Sequence, residues 1–110
     1  MAATSTPTIF TYNSIEVPIF EGEYYNYWSY QMQTLFISQE LWDIVDGTYP
    51  EPLEDQTSWQ EADQKQYKKN IKRDASALRY IQQGVSNTIF PRIFGAKKAK
   101  EAWDILKKDF

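Results

Sequence analysis

The sequence contains no cysteine and no histidine. The first absence excludes disulfides and thiolate zinc sites. The second removes any imidazole that would activate a nucleophile, and any side chain whose ordinary pKa switches charge near neutrality. A chain without cysteine suits the cytoplasm, which is the compartment expected here. Only four glycines and five prolines occur in 110 residues, too few for a collagen-like or low-complexity protein. No apolar run approaches the roughly 20 residues that span a bilayer, so no membrane partner is expected. Residues 1–8 (MAATSTPT) carry neither the basic start nor the apolar stretch of a secretory signal and read as a flexible, solvated tail.

Positive charge is also missing from more than half of the chain. Residues 1–64 hold eleven acidic side chains and no Lys or Arg, whereas residues 65–110 hold twelve basic and four acidic ones. A net charge of −3 therefore conceals one part at −11 and another at +8. Two such parts either neutralise each other within the fold or leave an acidic and a basic face, favouring head-to-tail self-association or binding of a polyanion.

What is abundant is aromatic: 16% of residues, with six between Glu21 and Phe36. Residues 8–20 are β-branched and aromatic and read as extended; Asn13 and Ser14 allow a hairpin turn. The period of residues 24–38 is helical. Tyr24, Tyr25, Trp28, Met32, Leu35 and Phe36 fall on one third of the wheel and form a core stripe, while Tyr27, Tyr30, Thr34 and Ile37 cluster nearly opposite. A short helix over 39–46 has Ser38 as its expected N-cap and Gly47 as its end. Residues 48–57 form a proline-bearing loop. The longest helix is expected over 59–83, opened by a Ser58–Glu61 capping box, with Tyr67, Ile71, Leu78, Ile81 and Val85 as its apolar stripe. A fourth short helical segment is expected over 86–94, with Ser86 as cap and Pro91 preventing a long helix. A last helix over 97–110 places Ala99, Ala102, Trp103, Leu106 and Phe110 on one face. The fold class is thus all-α: residues 9–110 form a single domain, a compact bundle of about five helices with an extended N-terminal segment. The core is expected to include Trp28, Leu35, Trp42, Ile71, Leu78, Trp103 and Leu106. A helix that ends on its own apolar stripe at Phe110 implies a piece of a longer protein.

The candidate sites are surfaces rather than chemistry. No general base stands near a nucleophile, and Glu51, Glu54 and Asp55 read as solubilising charge in a loop, so neither an enzyme, a cofactor nor a small-molecule substrate is expected. Asp74 is the carboxylate that falls on an apolar stripe. A buried structural carboxylate there needs a backbone N–H, a Tyr hydroxyl or an Arg such as Arg92. The Tyr27, Tyr30 and Ile37 face is either covered by residues 8–20 or another helix, or is an interaction surface, since Tyr is favoured at interface hot spots. Stacking of nucleic-acid bases is disfavoured there, because Glu21 and Glu23 flank it and would repel phosphates. Lys65, Lys68, Lys72 and Arg79 form a basic face, either solvated, weakly and salt-sensitively in contact with RNA, or turned toward the acidic part of a neighbour.

The blocks Phe20–Ser29 and Ser38–Val45 resemble the N-terminal part of Gag from copia-type LTR retrotransposons, particularly those of plants. Lys72–Leu78, Ile81–Ser86, Ile89–Ile93 and Lys100–Leu106 fit the same family in the same order. The resemblance implies the N-terminal lobe of a retroviral-type capsid. It further implies that a longer Gag carries a second helical lobe and an RNA-binding zinc knuckle. The expected function is a structural module that mediates protein–protein assembly of a virus-like particle through self-association with other Gag subunits, with RNA as a further partner of the full-length protein. Two alternatives stand beside it: a domesticated Gag-derived domain binding a host protein or peptide, and a weak RNA-binding module. Where relatives offer Ser or Thr before the last helix, this chain has Ala96, Lys97 and Lys98, which supply no side-chain N-cap.

Overall fold

A computed structural model describes residues 15–49 and 59–110. Among them are four α-helices, α1 (Tyr25–Ser38), α2 (Trp42–Asp46), α3 (Glu61–Gln83) and α4 (Ala99–Asp109), with a single 3-10 turn at Phe90–Arg92. The expected tail 1–8, most of the loop at 48–57 and the Asn13–Ser14 turn lie outside the described residues.

Helix α1 buries Trp28, Met32 and Phe36, spaced by four, with Tyr25 and Leu35 partly buried beside them. Tyr24 departs from the expected stripe. It precedes the helix with φ 61°, and this left-handed turn swings its ring into solvent at 81% exposure. Helix α2 starts at Trp42 rather than 39, and Ser38 does not cap it. The Ser38 hydroxyl instead donates back to the Leu35 carbonyl at 2.7 Å, as the last residue of α1. The intervening turn places Glu40 at φ 58°. Gly47 ends α2 with φ 82°, a conformation that costs glycine little.

Helix α3 begins two residues later than the capping box requires. Ser58 lies outside the described residues; Gln60 is the N-cap, and its backbone N–H donates to the Asp63 carboxylate at 3.0 Å. Its buried positions are Asn70, Ala77 and Ile81. Ile71, expected in the core, is 53% exposed. Residues 61–69 are exposed without exception, because the positions that precede Asn70 on its inward side are Asp63 and Gln66. Residues 86–94 are turns and the 3-10 segment rather than a fourth short α-helix. The Ser86 carbonyl accepts from the Ile89 and Phe90 amides, but its hydroxyl is buried without a partner, so Ser86 is not a side-chain cap.

The core centres on Phe20, Met32, Phe36, Ile44, Val45, Ile81, Ile93 and Leu106. Trp28, Trp103 and Leu106 are buried as the sequence predicts; Leu35, Trp42 and Leu78 pack at its margin. Trp103 joins three elements, with ring centroids 5.7 Å from Trp28, 5.8 Å from Phe36 and 5.8 Å from Trp42. Truncating a fully buried ring such as Phe36 to Ala costs about 3–5 kcal/mol.

Residues 15–20 are extended and strap the bundle. Phe20 forms a parallel bridge with Val85: its N–H donates to the Gly84 carbonyl at 2.8 Å and its carbonyl accepts the Ser86 N–H at 2.9 Å. The strap fits because Gly84 has no side chain; a Cβ there would stand 3.2 Å from both the Pro18 carbonyl and a Val17 methyl. The Trp28 indole donates to the Pro18 carbonyl at 3.1 Å, satisfying a polar atom that burial would otherwise penalise.

Candidate functional site

Helix α1 contains no charged residue along its fourteen positions. Its inner side is committed to the core, and its outer side presents Tyr27 at 69%, Tyr30 at 72% and Ile37 at 56% exposure. The strap does not cover this face: residues 17–20 run past Gly84 and Val85, on the core side of the helix. Whether residues 8–14 reach it lies outside the described residues. The nearest charges in sequence are Glu21 and Glu23 before the helix and Glu40 after it, all exposed. An uncharged, tyrosine-bearing centre thus lies between acidic ends.

The basic face lies on α3. Lys65, Lys68, Lys72 and Arg79 are all exposed, and Lys65 pairs with Glu61 at 3.6 Å across one turn. Such an exposed pair is worth a few tenths of a kcal/mol. Lys69 shares this side of the helix and was missed, because it lies at the edge of the wheel sector that the other four define.

Asp74 is half-buried, and its Oδ1 accepts the Ala99 N–H at 3.0 Å. The amide belongs to the first residue of α4, where the preceding Lys98 offers no side-chain cap. Glu101 adds a second local bond by accepting the Lys97 N–H at 2.9 Å. The missing Ser or Thr is thus replaced from another helix and from within the first turn. Arg92 is elsewhere: it pairs with Asp109 at 3.2 Å and lies 5.3 Å over the Phe110 ring.

Arg73 carries a structural role that the sequence did not announce. Its Nη2 donates to the Glu40 carbonyl at 2.6 Å and to the Asp43 carboxylate, and its Nη1 donates to Asn70 Oδ1 at 3.3 Å. Gln66 donates to the same Asn70 oxygen at 2.9 Å. This network fixes the middle of α3 to the turn between α1 and α2. Burial raises the Tyr25 pKa above its ordinary value, and the negative charge of Asp104 adds to the rise.

No group of carboxylates among the described residues could hold a metal ion, and no helix among them is long and apolar enough to cross a membrane. The described residues present two exposed surfaces of opposite character, and no nucleophile is paired with a base among them. Residues 32–110 match the family model described as gag-polypeptide of LTR copia-type. The match starts inside α1, so the resemblance over Phe20–Ser29 precedes it. Neither the curated proteins nor the solved structures gave a match.

Proposed function

This chain belongs to the LTR copia-type gag-polypeptide family, and on that premise we propose that it is an assembly module that binds further copies of itself to build a particle around RNA in the cytoplasm. In this reading the bundle is a capsid-like N-terminal lobe. The observation that carries it is the outer face of α1, where Tyr27, Tyr30 and Ile37 stand exposed on a helix without a single charge. Monomeric proteins rarely leave such a patch bare, and aromatic residues dominate interface energies. Each contact can be weak, because a particle makes many at once. Exposed Lys65, Lys68, Lys72 and Arg79 add a weak, salt-sensitive attraction for RNA phosphates.

Light scattering of the chain over a range of concentrations tests the proposal. The expected result is a weight-average mass that rises above the monomer as concentration increases. A mass that stays monomeric at every concentration, with and without RNA, would overturn it and turn attention to a host protein on the Tyr27 face.

A further inference from the structure

We infer that the Tyr27–Tyr30–Ile37 face of one copy is covered by the N-terminal half of α3 from a second copy. This inference rests on the self-assembly proposed above and names the two surfaces that meet. Residues 61–69 of α3 are exposed all round, so this half-helix stands clear of the other described elements as an arm. It carries its own apolar pair one turn apart, Tyr67 and Ile71, both exposed. Lys68 and Lys72 neighbour that pair around the helix, and Lys65 and Lys69 lie beyond them.

The charges select the partner. Residues 15–49 contain six acidic residues and no basic one, and Glu21, Glu23 and Glu40 flank the neutral centre of α1. The arm from Glu61 to Lys72 carries four lysines against two acidic residues. Pairing α1 with α1 sets acidic ends together, and pairing arm with arm sets lysines together. Only α1 with arm places an apolar centre on an apolar centre inside rims of opposite sign. The arm's apolar pair spans about 6 Å of helix and fits within the roughly 15 Å from Tyr27 to Ile37. Because the two surfaces differ, the contact is heterologous: every copy offers one face and one arm. Such contacts run on from copy to copy, closing into a ring only if the rotation permits.

Two variants at exposed positions test this in sedimentation experiments. Tyr30→Lys repels the arm, and Ile71→Lys places a charge in the centre of the arm's apolar pair. Unchanged circular dichroism and melting identify the folded variants; Tyr30→Gln and Ile71→Gln replace either one that melts early. Each variant alone is expected to associate at least about tenfold more weakly than the unaltered chain. An equimolar mixture is expected to form a one-to-one pair and nothing larger, because one intact face and one intact arm remain. If either variant associates as the unaltered chain does, the inference falls while self-assembly stands. If both lose association and the mixture restores nothing, the face meets a different surface and the inference again falls. An unaltered chain that is monomeric throughout overturns the inference and the assembly proposal together.

Discussion

Asp74 sits on α3 and accepts the first amide of α4, twenty-five residues away in sequence. Removing it with Asp74→Ala leaves that amide without its acceptor and is expected to cost about 1–2 kcal/mol, the usual scale of a lost helix cap. A urea melt reads this directly, and Asp74→Asn should retain most of the stability because its amide oxygen can still accept. An unaltered midpoint for Asp74→Ala would show that the bond contributes nothing. Tyr25 gives a pH dependence of definite sign. Burial, helped by Asp104, favours its neutral form and raises its folded pKa above the unfolded value near 10. Its contribution is therefore complete below about pH 10 and is lost as pH rises through the folded value. Tyr25→Phe should flatten the alkaline fall in thermal midpoint; an equally steep fall would exclude this residue as a cause. The position of Asp74 on the inner side of α3 was legible from the helical period, but its partner was not, because no local pattern encodes a contact between separate helices. Ile71 shows the opposite failure. It fits the apolar period, yet it is exposed, as are residues 61–69 before it.

At the scale of elements, the two halves of α3 differ in what holds them. The second half is fixed by Ala77 and Ile81 in the core and by Arg73 at the α1–α2 turn. The first half has its own backbone bonds and local contacts: Lys65 with Glu61, Gln66 with Asn70, and the Tyr67 ring 5.0 Å from that of Trp59. Amide hydrogen exchange should therefore be at least about tenfold faster at residues 65–69 than at 77–81 in the monomer. Equal protection would mean that the arm is held against the body. The helices themselves were readable because their apolar residues recur with the helical period: α1, α3 and α4 are found within one to two residues of expectation. The start of α2 was not readable. It depends on a positive φ at Glu40 and on Arg73 reaching across from α3, neither of which Ser38 or its neighbours reveal. The candidate face on α1 was visible as a second apolar side. Its exposure was not, since the period of α1 does not say whether residues 15–20 run over it.

For the molecule as a whole, the segregation of charge makes association depend on ionic strength. Raising salt from about 0.01 M to about 0.15 M shortens the Debye length from about 30 Å to about 8 Å. The mass measured by light scattering should fall over that range at fixed protein concentration. A mass that holds steady would leave the apolar surfaces as the sole attraction and give the charge asymmetry no part in it. The Phe20 ring meets Phe110 at 4.9 Å and Trp28 at 5.1 Å, and Trp103 completes the aromatic cluster around α1. During synthesis, α1 therefore leaves the ribosome with both of its sides wet, and at some 5–20 residues per second it waits several seconds for α4. Helix α4 completes the burial of the inner side of α1, through Trp103 against Trp28 and Phe36. A nascent chain halted at Lys98 should bind a dye for exposed apolar surface that a chain extended through Phe110 excludes, so that the tyrosine face is sorted from the tryptophan face only once α4 has emerged.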